Sequence, residues 1–143
     1  MQWDASSLAG FSLPGTQGCW LPFMENFQQV NVVVQLQQPE SLLNLYRHLL
    51  AFRKESPSLQ IGDYVSIADL PPDCFGYQRR LSGFPKILVV INFSPHSVKL
   101  ELAENGSGQL ILSTYMDQNG EVDLVGLQLR RHEGVIIQVD SEE

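Results

Sequence analysis

Few residues in this chain combine types and spacing that can do chemistry. Asp4 stands beside Trp3 near the start of the 143-residue sequence. A carboxylate accepts hydrogen bonds from a sugar hydroxyl, and an indole face can stack on a sugar ring. A loop anchored by a buried indole is the commoner use of such a pair, and spacing alone leaves both readings open. His48, His96 and His132 lie far apart, and none has a second His or Cys at ligand spacing. Surface or capping roles are expected for them, and neither a metal nor a cofactor is. Cys19 and Cys74 form no CxxC pair and read as small apolar residues of a reducing cytoplasm. Glu133 and the terminal Glu142-Glu143 read as solvated charges. No nucleophile elbow is present, and no Gly-rich phosphate loop follows a strand.

Three stretches of different pattern must hold these residues. Residues 1–38 are rich in Gly, Pro, Ser and Gln, with aromatics at Trp3, Phe11, Trp20, Phe23 and Phe27, and read as an irregular loop. Residues 39–56 read as an amphipathic helix, with Leu42, Leu45, Tyr46, Leu49 and Phe52 on one face. Pro39 suits its first turn, Arg47, Arg53 and Lys54 complement its dipole toward the C-terminal end, and Ser56-Pro57 stops it. Leu43 and Leu50 widen the apolar face, so the helix expects neighbours on two sides.

After Gly62 the reading is all β. Segments 63–67, 75–81, 86–93, 98–102, 109–116, 121–129 and 135–139 are rich in β-formers and separated by turn pairs, among them Asn105-Gly106 and Asn119-Gly120. The second pair favours a type I′ hairpin. The fold class is therefore mainly β: an antiparallel β-sandwich preceded by a loop and one helix. The segment 86–92 does not alternate and reads as a central strand covered on both faces. Phe75, Tyr77, Phe93 and Tyr115, scattered over different segments, read as core.

Charge excludes some partners. Nine Lys and Arg against sixteen Asp and Glu leave a net charge of −7 with no basic stripe, which argues against nucleic acid and anionic membrane. The longest apolar run, residues 87–91, is too short to span a bilayer, and no leader-like segment opens the sequence.

The opening residues carry a resemblance. Met1-Gln2-Trp3-Asp4, Ala9-Gly10-Phe11-Ser12, Trp20-Leu21-Pro22, Asn31-Val32 and Gln35 resemble the MQWD…AGFS…WLP…NV..Q sequence of α-glucosidases of the α-amylase superfamily, glycoside hydrolase family 13. Ser41, Leu42, Tyr46-Arg47, Leu49, Arg53-Lys54, Pro57, Leu59 and Gly62-Asp63 are similar to the pattern that follows in that family. The strands around Asn92 and the last thirty or so residues look like its C-terminal domain. Leu8 stands where many relatives have Asn, and Phe23-Met24-Glu25 replaces a common V-N-P.

The resemblance implies the last part of a larger enzyme, because Met1 coincides with an internal Met of the motif. Residues 1–57 would be the tail of a (β/α)8 barrel, with a substrate-side loop at 1–38 and the last barrel helix at 39–56. Residues 58–143 would be the C-terminal sandwich. Members are retaining glycosidases that use two carboxyl groups about 5 Å apart. Those residues, and a third carboxylate, lie in motifs absent from this sequence, so no catalytic residue is expected here. Gln2, Trp3 and Asp4 would line the wall of a pocket for an α-glucosidic oligosaccharide, with the upstream barrel as partner. The resemblance also extends to the glucosidase-like heavy subunit of an amino-acid transporter, and a free-standing carbohydrate-binding sandwich is a third reading.

Overall fold

The computed structural model describes residues 1–13, 15–102 and 106–140, so the Asn105-Gly106 turn in part and Glu142-Glu143 altogether lie outside the described residues. The chain forms two compact units, Met1–His48 and a second beginning at Leu49.

In the first unit, α1 (Val32–Gln37) is capped by Asn31, whose Oδ1 accepts the Val34 N–H at 2.9 Å. The far end of α1 leaves orphan carbonyls that a helix cannot satisfy internally. Asn44 collects them, its Nδ2 donating to the carbonyls of Gln35 (3.0 Å), Leu36 (3.4 Å) and Gln38 (2.8 Å). The Ser41 hydroxyl donates to Gln35 O at 2.6 Å and accepts the Asn44 N–H at 3.2 Å. That arrangement starts α2 (Leu42–Glu55) and explains why a polar residue, Asn44, is the buried one on this helix.

The second unit begins within α2. After it, α3 (Pro57–Ile61) has Ser56 as N-cap and Pro57 in the first turn, where a missing N–H costs nothing. Among the described residues eight strands follow: β1 (Asp63–Ser66), β2 (Cys74–Arg80), β3 (Lys86–Asn92), β4 (Val98–Glu101), β5 (Ser107–Ser113), β6 (Gly120–Asp123), β7 (Val125–Leu129) and β8 (Gly134–Val139). They make a six-stranded sheet in the order β1-β2-β3-β8-β5-β6 and a two-stranded sheet β4-β7. Every strand pairing within these two sheets is antiparallel. The large sheet contributes Leu88, Val90, Leu110, Val135 and Ile137 to the core, and the small sheet answers with Leu100, Leu127 and Leu129. Leu102 and Leu124 complete it. The described residues are thus mainly β, an antiparallel sandwich preceded in sequence by three helices, the longest of them α2.

Several expectations change. The residues 1–38 are not all loop, because the capped Val32–Gln37 run is helical. Its three successive valines give no amphipathic period to detect. The main helix starts at Leu42 instead of at Pro39, since Ser41 supplies the capping hydroxyl. Ser56-Pro57 ends α2 but also starts α3. The segment 121–129 is two strands in different sheets, divided at the buried Leu124. Asn119-Gly120 makes no type I′ turn: Gly120 has φ 119° but Asn119 is not in the positive region, and Gly120 already pairs with Leu110.

β3 does lie centrally, between β2 and β8. Leu88 and Val90 are buried in the core and Ile87 on the opposite face, while Val89 and Ile91 remain half-buried. The aromatics are not core. Phe75, Phe93 and Tyr115 are exposed and Tyr77 is half-buried. Alternation along β2 places Gly76 and Gln78 inward, which turns Phe75 and Tyr77 outward.

Candidate functional site

Gln2, Trp3 and Asp4 lie together on one bonded segment of the first unit. Gln2 is buried and forms a parallel bridge with Asn31. The N–H groups of Val32 and Val33, orphan donors at the start of α1, donate to the carbonyls of Gln2 (2.9 Å) and Trp3 (3.1 Å). Trp3 N–H donates to Ala9 O at 3.0 Å, closing a loop over residues 3–9. Asp4 Oδ1 accepts the Ser6 N–H at 2.9 Å, and hydrogen bonding from Ser6 holds the Asp4 carboxyl below its ordinary value. Asp4 is therefore an anion at neutral pH.

The Trp3 side chain is 56 % exposed, so the indole does not anchor the loop. What anchors it is backbone. A free indole face next to a fixed carboxylate can stack on a sugar ring while accepting from its hydroxyls. Other apolar side chains of the same unit are also open, among them Phe11, Leu13, Trp20 and Leu21.

The remaining candidates separate from this segment. His48, His96 and His132 are exposed, and among the described residues no group of three or more His, Cys, Asp or Glu could hold a metal ion. Cys19 and Cys74 are free thiols. On the outer face of β1 and β2, Tyr64 and Tyr77 stack with centroids 5.3 Å apart and planes at 28°. Each ring turns one face to the other, and Tyr64 remains exposed.

Glu133 is the largest correction to the sequence reading: it is fully buried. Ser113 donates to its Oε1 at 2.5 Å, and the Arg130 backbone N–H to its Oε2 at 2.7 Å. The Arg130 guanidinium binds both oxygens, at 2.6 and 3.1 Å. The same guanidinium pairs with Asp117 and lies 4.0 Å from the centre of the Tyr115 ring. Burial pushes the Glu133 carboxyl up, but the bonds from Arg130 and Ser113 outweigh it and hold the group below its ordinary value. The Arg130-x-x-Glu133 spacing was the available signal. With every buried side-chain polar atom among the described residues satisfied, this cluster ties the β7–β8 turn to the end of β5 and offers no open reactive group.

The family Alpha amylase, catalytic domain, matches residues 1–62. An oligo-1,6-glucosidase of Bacillus cereus is 30 % identical over 142 residues, which cover 97 % of this chain and 24 % of that protein. An amino acid transporter heavy chain of Rattus norvegicus is 36 % identical over 145 residues, covering 96 % of this chain and 21 % of that protein. Among solved structures, the isomaltulose synthase SmuA from Protaminobacter rubrum superimposes with a TM-score of 0.81 at 29 % identity, covering 98 % of this chain and 25 % of that one. The chain spans about a quarter of the length of the relatives it matches. It corresponds to the C-terminal part of the α-glucosidase-like proteins of the α-amylase superfamily, glycoside hydrolase family 13.

Proposed function

We propose that the chain is the C-terminal portion of a retaining α-glucosidase that releases terminal α-linked glucose from malto- or isomalto-oligosaccharides in the cytoplasm. In this reading residues 1–57 complete the catalytic barrel and residues 58–143 form its C-terminal β domain. The observation that carries it is the exposed Trp3 beside the half-buried, hydrogen-bonded Asp4 on a firmly bonded loop, inside the stretch that matches the catalytic-domain family.

The chemistry divides between two parts of the parent. Retaining hydrolysis needs a nucleophile and an acid/base on a rigid frame, about 5 Å apart, and these come from the upstream barrel. This chain's residues bind and exclude water. Trp3 covers a sugar face, Asp4 accepts a hydroxyl proton in a hydrogen bond, and Gln2 holds the segment that presents them. Support for an upstream partner comes from α2, where Leu42, Tyr46 and Leu50 stay exposed on one side of the helix.

Activity tests the reading. The purified 143-residue chain releases no glucose from maltose or isomaltose, whereas the gene product including the barrel does. Turnover that rises with the concentration of the short chain would overturn the division of labour.

A second reading has its own observation: identity to the transporter heavy chain, 36 %, exceeds that to the Bacillus cereus glucosidase, 30 %. The upstream sequence decides. An N-terminal membrane span without the three barrel carboxylates would replace the enzyme with a transporter-associated glycoprotein.

A further inference from the structure

Trp3 is exposed and Asp4 half-buried, yet the backbone of the pair is gripped from two directions. On one side is Asn31, which is fully buried. Its Nδ2 donates to the carbonyls of Phe27 at 2.8 Å and Gln28 at 3.3 Å, while its Oδ1 caps α1 through the Val34 N–H. One side chain thus fixes both the turn before α1 and the first turn of α1. The N–H groups that this first turn presents are those that hold Gln2 O and Trp3 O.

On the other side are Ala9 and Gly10, two successive residues in the left-handed region, at φ 52° and 73°. Alanine stays in that region only where its surroundings hold it. Ala9 is fully buried and is tied through its N–H to Ser6 O and through its carbonyl to Trp3 N–H. Gly10 then passes directly against the pair. A Cβ on Gly10 would stand 2.6 Å from Trp3 Cβ and 3.0 Å from Asp4 Oδ2. Trp3 Cβ is the root of the indole and cannot swing aside without turning the ring. Glycine is required there twice over, for its φ and for its missing side chain.

We propose that Asn31 and Gly10 are positioning residues that set the pose of Trp3 and Asp4, Asn31 by locking the helix start to which the segment is bonded and Gly10 by leaving room for the indole root. The purpose of that pose rests on the pocket-wall reading above, whereas the positioning itself rests on the contacts just given.

The chain has two tryptophans, and Trp20, 96 % exposed, serves as an internal reference. The test records the two indole N–H resonances and the Asp4 amide by NMR in the 143-residue chain, with and without isomaltose. Gly10→Ala moves the Trp3 and Asp4 signals and leaves Trp20 in place. Asn31→Ser retains a capping oxygen, so α1 persists, but loses the two donors to Phe27 and Gln28; it moves the same two signals while the helical circular dichroism is kept. Isomaltose shifts the Trp3 signal in the parent chain, and each variant weakens that response about tenfold, a loss of about 1.4 kcal/mol. Trp3 and Asp4 signals unmoved in both variants, with the second unit folded, would overturn the positioning. Signals that move in the variants, together with an isomaltose KM unchanged by Trp3→Ala in the barrel-containing enzyme, would uphold the positioning and refute the pocket-wall reading.

Discussion

A single buried carboxylate shows how far residue type can mislead. Glu133 sits in Arg-Arg-His-Glu, a run that reads as a solvated turn, yet it has no solvent exposure and is held by Ser113 and Arg130. The cause lies in the turn. His132 takes φ 52° and donates its N–H to Ser94 O, which folds the chain back and carries Glu133 inward. No local propensity announces that, since the bond reaches a distant loop. Removing the carboxylate takes from Arg130 its buried partner, leaving it the Asp117, Ser113 and Tyr115 contacts, and losing one partner of a buried ion pair is strongly destabilising. Because Arg130 is partly exposed, Glu133→Ala is expected to cost about 2–3 kcal/mol in urea unfolding, below the range for fully buried pairs. The pH dependence follows in sign. The Glu133 and Asp117 carboxyls are held below their ordinary values of 4.5 and 3.8, so their stabilisation is complete above those values and disappears as pH falls through the lowered ones. The melting temperature is therefore flat from neutral pH to about 5 and declines below about 4.5, and Glu133→Ala removes part of that decline. An identical acid profile in parent and variant would show that the cluster does not contribute. Trp3 and Asp4, by contrast, were legible as a pair from type and adjacency; that the indole is open and the backbone is the anchor was not.

Elements were readable where one pattern persisted and lost where two met. The strands over β2, β3 and β8 were evident because β-formers run unbroken between turn residues. The helix α2 was evident from its period, although its start moved to Ser41, whose hydroxyl bonds to both neighbouring turns. The stretch 121–129 carried no Pro or Asn at its centre and read as one strand, yet Leu124 separates β6 in the large sheet from β7 in the small one. Two neighbouring features mark the change of sheet. Asp123 Oδ1 accepts the Val125 N–H at 2.8 Å, a tight local turn, and Gly126 at φ 95° sits at the β4–β7 bulge, where a Cβ would meet Lys99 Cε at 2.7 Å. The glycine within a strand pattern was the signal available for the second. Leu124 is fully buried at the corner where both sheets close over the core. Leu124→Ala is expected to lower stability by about 3 kcal/mol, the usual cost of a leucine-sized cavity. Gln128→Ala, an exposed change on the same small sheet, stays within about 0.5 kcal/mol. Equal effects of the two on the urea midpoint would mean that the corner does not seal the core.

At the scale of the whole molecule the decisive feature is apolar surface that the chain does not cover itself. Leu42, Tyr46 and Leu50 recur at every fourth residue of α2 and are 58 %, 58 % and 62 % exposed. That spacing places them along one side of the helix, and an amphipathic helix with its apolar stripe bare is one whose partner lies elsewhere. The sequence already indicated the need, because its apolar residues cover more of the circumference than one neighbour can bury; which side stays open required the structure. In the proposed parent the barrel supplies the cover. In the isolated chain, burial of apolar area is favourable by about 25 cal/mol per Å², so self-association is the expected response, rising with concentration in sedimentation velocity. A charged version of the stripe separates this effect from folding. Leu42→Glu, Tyr46→Lys and Leu50→Glu alternate in sign with one another and with Lys54 at four-residue spacing, where each opposite pair favours the helix by about 0.2–0.5 kcal/mol. The triple variant should therefore keep its helix and strand signal by circular dichroism while sedimenting as a monomer across the same concentrations. In the barrel-containing parent the identical triple substitution should lower stability, since charges would then face the covering surface. An unsubstituted 143-residue chain that is monomeric at every concentration, together with an intact enzyme indifferent to the substitutions, would show that the α2 stripe has no partner to meet, and the barrel-closing role of this helix would fall with it.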